Sequence, residues 1–96
     1  MPRRGRINIA GGIYHVMQRG FEQRELFKDE GDREEFLKRL SEGLKKTSHK
    51  CYGWVLMPNH FHLIVRTGMN PLGKLMNGLL TGYALYYNRK YIRTER

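Results

Sequence analysis

The sequence predicts an α+β domain, a small antiparallel sheet with helices packed on one face, in the order β-α-β-β-α. Three observations predict it. The run Leu56-Met57-Pro58-Asn59-His60-Phe61-His62-Leu63-Ile64-Val65 alternates with period two after a turn dipeptide. Two longer stretches, near residues 29–46 and 70–91, repeat apolar residues at helical spacing. The run Ile13-Tyr14-His15-Val16-Met17-Gln18-Arg19 is rich in β-formers and lies between glycines 12 and 20.

Composition narrows the class of partner. At 96 residues the chain is one domain at most. Eighteen Lys and Arg against nine Asp and Glu give a net charge of +9. Such an excess speaks of partners rather than fold, with nucleic acid and anionic membrane as the candidates. No apolar run approaches the roughly 20 residues of a membrane span, and no secretory signal pattern is present. Nucleic acid is therefore favoured over membrane and over a merely solvated basic surface. Cys51 is the one cysteine, so no internal disulfide forms and a reducing, cytoplasmic setting fits best.

Taken in order, residues 1–12 read as a basic N-terminal arm carrying Arg3, Arg4 and Arg6. Such an arm lies along phosphates, although a frayed terminus has the same composition. The first strand follows at 13–19. Its His15 suits a hydrogen-bonded wall residue in the second shell of a site rather than a ligand. Residues 21–28 connect to a helix in which Asp29 is the expected N-cap and Asp32 sits in a capping-box-like position. Acidic residues crowd its start and Lys38, Arg39, Lys45 and Lys46 its later turns, the order a helix dipole favours. The acidic cluster needs no catalytic explanation.

Lys50–Met57 is the second strand, with Tyr52, Trp54 and Leu56 expected on one face. Pro58-Asn59 turns it into the third strand. A tight turn puts Trp54 and Leu56 on the core face with Phe61 and Leu63, and leaves Val55 and Met57 flanking the histidines. Asn70-Pro71 opens the second helix, Asn70 as N-cap and Pro71 in the first turn. Leu72, Leu75, Met76, Leu79, Leu80, Tyr83 and Tyr87 form its apolar stripe. Gly78 and Gly82, one turn apart, invite a close approach by a neighbouring element or a nucleic-acid strand. The helix ends in Tyr86-Tyr87-Asn88-Arg89-Lys90-Tyr91, a mixture suited to base stacking and phosphate contact. Cations at a helix C-terminus explain Arg89 and Lys90 equally well, but not four tyrosines between positions 83 and 91.

On the third strand His60 and His62 point the same way, so both imidazoles can turn onto one cation. Three readings stay open on the residues alone. The pair is structural, or it holds zinc with partners the sequence does not supply. In the third reading it is an open divalent-cation site that grips a phosphate. Tyrosine is a suitable covalent nucleophile for the third.

The run Met57–Val65 resembles the metal-binding strand of the HUH (His-hydrophobic-His) single-strand DNA transposases, more narrowly the REP-associated tyrosine transposases. Tyr14-His15-Val16 with Gln18-Arg19-Gly20 is similar to that branch's first strand, and Tyr83–Tyr91 resembles the end of its middle helix. The similarity covers about residues 9 to 92. It implies a ferredoxin-like sheet that dimerises, a Mg²⁺ or Mn²⁺ ion held by His60 and His62, and hairpin DNA with flanking single strand as substrate. Arg19, Asn88, Arg89 and Lys90, with the arm arginines, are the expected nucleic-acid contacts. The implied chemistry is tyrosine attack on a phosphate, leaving a phosphotyrosine.

In the family the nucleophile and third ligand sit on a later helix, in a Tyr-Ile-x-x-Asn-Pro-like stretch. Tyr91-Ile92-Arg93-Thr94-Glu95 mimics it, which makes Tyr91 a candidate nucleophile, with Tyr83 a further one, and Glu95 a candidate ligand. Its position directly after Asn88-Arg89-Lys90 instead aligns it with the end of the middle helix. The expectation is thus residues 13–96 as a single HUH transposase-like domain, truncated before its nucleophile helix. A non-catalytic nucleic-acid-binding module or domesticated remnant is the alternative, and a small structural or toxin-like protein a third.

Overall fold

In the computed structural model, residues 11–20 and 24–92 are described. They form β1 (Ile13–Arg19), α1 (Glu30–Thr47), β2 (Lys50–Met57), β3 (His60–Arg66) and α2 (Leu72–Tyr87), and a π-helical turn (Asn88–Ile92) continues α2. The three strands make one antiparallel sheet in the order β1-β3-β2, with both helices on one face. This is the α+β arrangement the sequence predicts.

The core lies between sheet and helices. Phe61, Leu63 and Val65 of β3 are buried against Phe36 and Leu40 of α1, Leu75, Leu79 and Tyr83 of α2, and Phe27. Burying each large side chain contributes about 1.5–3 kcal/mol, so this cluster carries most of the favourable term in so small a domain. Because side chains alternate along a strand, the same burial turns His60, His62, Ile64 and Arg66 to the opposite face. Among the described residues no helix covers that face.

The Pro58-Asn59 turn is tight: Met57 pairs with His60, Val55 with His62, Leu56 with Phe61 and Trp54 with Leu63. The turn is held from outside, since the amides of Leu26 and Phe27 donate to the Pro58 carbonyl and that of Gly20 donates to Asn59.

Two local expectations are corrected. A bulge between Cys51 and Gly53 drops Tyr52 from the pairing, so it leaves the face of Trp54 and Leu56. Cys51, opposite Val65, packs against the core in its place, and the Arg66 guanidinium donates to the Tyr52 hydroxyl. Trp54 shares the core face yet is 52% exposed, because β2 is an edge strand. The N-cap of α2 is Pro71, with no side-chain cap; Asn70 instead donates its amide to the Thr47 carbonyl. Asp29 does cap α1, accepting from the Asp32 amide at 2.9 Å.

The glycine pair on α2 divides. A Cβ on Gly82 would meet Arg39 Nη1 at 2.5 Å, whereas one on Gly78 meets nothing within 4 Å. The close approach is by a side chain of α1, at one of the two positions.

Candidate metal centre and its surroundings

The uncovered face of the sheet carries three histidines in adjacent positions. His62 stands opposite Met17 of β1, and His60 opposite Arg19. The rings of His60 and His62 have centroids 5.1 Å apart and are nearly perpendicular. Met17, Val55 and Met57 lie exposed around them.

Each ring has one nitrogen already engaged. His60 Nδ1 donates to Asn59 Oδ1 at 2.9 Å, which assigns the proton to Nδ1 and leaves the Nε2 lone pair available. His62 Nδ1 lies 2.9 Å from His15 Nε2, and the two rings stack with centroids 5.1 Å apart. With the proton on His62 Nδ1, donated to His15 Nε2, the His62 Nε2 lone pair is free as well. An outer hydrogen bond that fixes the ring while freeing the other nitrogen is the support a metal-ligating histidine needs. Desolvation, then electrostatic coupling to His15, His60 and Arg19, hold the His62 imidazole below its ordinary titration range. That favours the neutral form, which alone has a lone pair to give.

Two imidazole nitrogens fit a borderline divalent ion, leaving its other positions for water and phosphate oxygen. Among the described residues no group of three His, Cys, Asp or Glu is arranged to hold a metal. His15 turns its Nε2 toward His62 and supports the site from β1. His49 lies elsewhere: it is buried, accepts from the Gly68 amide and reaches the Pro71 carbonyl.

The remaining predicted residues are not gathered here. Tyr83 is buried in the core on the opposite side of the sheet and donates to the Leu26 carbonyl at 2.5 Å. Tyr91 sits on the π-helical turn in the helical layer and donates to Asp32 at 2.6 Å. Neither hydroxyl is offered to the histidine face. Burial raises the titration of both phenols, with Asp32 adding to the effect. Arg19 does lie beside His60. Asn88 and Arg89 are exposed on the turn after α2, while Lys90 spends its charge on Asp29 and Asp32 at 3.0 and 2.9 Å. Arg3, Arg4, Arg6 and Glu95 lie outside the described residues.

Asp32 is the residue the sequence did not reveal. It is fully buried and accepts from Tyr86 at 2.7 Å, Tyr91 at 2.6 Å, Lys90 at 2.9 Å and the Lys28 amide at 2.9 Å. Burial alone would raise its titration. The donors from Tyr91, Tyr86, Lys28 and Lys90 outweigh burial and hold the carboxyl well below the carboxylate range. The tyrosines expected to stack on bases are thus largely anchors, with Tyr87 donating to the Glu25 carbonyl as well. Their unexplained number was the available signal.

The profile of the family described as "Transposase IS200 like" matches residues 8–96. Among solved structures, that of a REP-associated tyrosine transposase bound to a REP hairpin aligns with a TM-score of 0.75 at 16% identity. The alignment covers all of this chain and 59% of that one, so the chain spans well under two thirds of that relative's length, and the likeness is one of fold. No match was found among curated proteins. No helix of the described residues is long and apolar enough to cross a membrane. With the match extending over all but the first seven residues, the chain belongs to the IS200-like transposase family.

Proposed function

We propose that this chain is the histidine-bearing part of a cytoplasmic, tyrosine-type transposase of the REP-associated kind, acting on single-stranded and hairpin DNA as a homodimer. The observation that carries the reading is the pairing of His60 and His62 on an uncovered strand, each with Nδ1 engaged and Nε2 presented. A bound Mg²⁺ or Mn²⁺ supplies Lewis-acid polarisation of a phosphate oxygen and a template for the strand.

The chain's own residues do the positioning. Asn59 and His15 fix the two imidazoles, so little reorganisation is needed when phosphate arrives. Arg19, opposite His60, adds a fixed positive charge at the same edge. Arg89 and the arm residues Arg3, Arg4 and Arg6 hold flanking phosphates. The reaction is a transesterification: a tyrosine oxygen bonds to phosphorus, the bond to the 3′-oxygen breaks, and that oxygen leaves as a hydroxyl. Tyr83 and Tyr91 are committed to Leu26 and Asp32 and are not the attacking tyrosine.

One observation favours a second reading, a non-catalytic DNA-binding module or domesticated remnant. Among the described residues no third donor completes the ligand set. Incubation of the protein with end-labelled hairpin DNA bearing a single-stranded flank, with and without Mn²⁺, separates the two. A gain in binding on adding Mn²⁺ that is lost in H60A/H62A supports the metal-dependent transposase, and a covalent adduct makes it decisive. Binding to which Mn²⁺ adds nothing, with no adduct, supports the module.

A further inference from the structure

A cavity of about 360 Å³ opens between the end of β1, the Arg24–Leu26 segment and α2. Nothing in the metal-site reading uses it. Its floor is aromatic and aliphatic, formed by Phe36, Phe61, Leu80 and Tyr83, and its rim carries Gln18, Arg19, Arg24, Glu25 and Asn88. The size is at the lower end of the range for small-molecule sites, and an apolar body with a few polar groups at the mouth is their usual lining. The wall is fixed in place. Tyr83 and Tyr87 bind the carbonyls of Leu26 and Glu25, tying the connecting segment to α2.

We infer that this cavity receives one unpaired nucleobase of the DNA strand whose phosphate sits at the histidines. The inference deepens the proposed function and rests on its assignment of single-stranded DNA as ligand. Chemistry and placement support it together. An apolar lining with polar groups at its mouth suits the apolar body and polar edge of a base. The amides of Gln18 and Asn88 each carry a donor and an acceptor for a base edge, and the Glu25 carboxylate suits an exocyclic amino group. Charge is complementary as well, because two rim arginines and a net charge of +9 favour a ligand carrying phosphates. Placement adds the link: Arg19 lines the cavity and is also the register partner of His60. A strand wrapping over the end of β1 passes from the histidines on the open face to the cavity on the core side.

The test fills the cavity from its rim. Ala84 is exposed on α2 and lines the cavity, so A84W puts an indole where the base would go without touching the buried floor. Binding of a fluorescent single-stranded oligonucleotide is measured in EDTA, and Mn²⁺ binding separately without DNA. The expected result is a loss of DNA affinity of about tenfold or more in A84W, with Mn²⁺ binding unchanged. N88A, which removes a rim amide and fills nothing, weakens binding by a smaller factor and guards against misfolding in A84W. An oligonucleotide bearing a single abasic site, scanned along the strand, loses affinity in wild type at one position and shows no such loss in A84W.

Wild-type affinity in A84W and N88A, with no position sensitive to base removal, overturns the inference while leaving the metal site standing. Lowered thermal stability of A84W with unaltered DNA binding also overturns it, by showing that polypeptide occupies the cavity. Failure of wild type to bind any single strand sinks the proposed function as well. Loss of Mn²⁺ binding alone would strike only that function's metal site.

Discussion

The Tyr91 hydroxyl donates to Asp32 at 2.6 Å, joining the turn after α2 to the first turn of α1 across 59 residues of sequence. Tyr86 and Lys90 converge on the same carboxylate. This is a buried charge with its donors in place, and such clusters are costly to break from one side. D32A is expected to destabilise the fold by about 3 kcal/mol, against about 1 kcal/mol for D29A, which removes the helix cap and an exposed ion pair with Lys90. Urea unfolding of the two variants checks the ordering. Equal losses would mean that Asp32 acts as no more than a capping residue.

The same cluster sets a pH window. The Asp32 carboxyl titrates below its unfolded value, so its contribution is present above roughly pH 4 and is lost as pH falls further. Lys90 is raised through its bonds to Asp32 and Asp29, and Tyr86 and Tyr91 chiefly by burial. Contributions of that sign are present below roughly pH 10 and fade as pH rises beyond it. Thermal midpoints are expected to plateau between the two limits and fall on both sides. In D32N the acid limb should flatten. An acid limb identical to wild type would remove Asp32 from the account.

Helix α2 offers a test in the opposite direction. Gly78 sits in the helix interior with open space where a Cβ would be, so G78A is expected to stabilise by about 1 kcal/mol. Gly43 of α1 is different, because a Cβ there would come within 2.8 Å of Leu75 Cδ1, and Leu75 is buried. G43A should gain less, or lose. Chemical denaturation of both variants decides it, and an equal gain in each would show that the helices can separate freely.

At the histidines the supporting bonds are separable from the ligands. His15 meets His62 and Asn59 meets His60. Removing an outer partner lowers metal affinity by about tenfold to a hundredfold where such support matters. H15A and N59A are each expected to weaken Mn²⁺ binding within that range without abolishing it, as read by calorimetric titration. Unchanged affinity in both would leave the rings held by strand geometry alone.

The order of elements was legible because each rests on local chemistry. Period-two alternation set β3, helical stripes set α1 and α2, and Pro58-Asn59 set the hairpin and its register. The histidine pair followed from the same alternation. Features closed by distant partners were not legible. The bulge at Tyr52 exchanges it with Cys51 on the core face, and Gly53 inside the strand was the signal available for it. Tyr86, Tyr87 and Tyr91 read as a stacking surface because Asp32 and Glu25, the groups that satisfy them, lie more than fifty residues away, whereas the packing of Tyr83 was legible in the apolar stripe. Lys90 likewise read as a phosphate contact until its two aspartates came into reach.

His60 and His62 together are expected to hold a divalent ion on the open face of the sheet. Titration of Mn²⁺ into wild type and into H60A/H62A, followed by the relaxation of water protons, tests it most directly. The account predicts a saturable site in wild type that is lost in the double variant, with the fold and the affinity for single-stranded DNA in EDTA preserved. Mn²⁺ binding of equal strength in both proteins would contradict it.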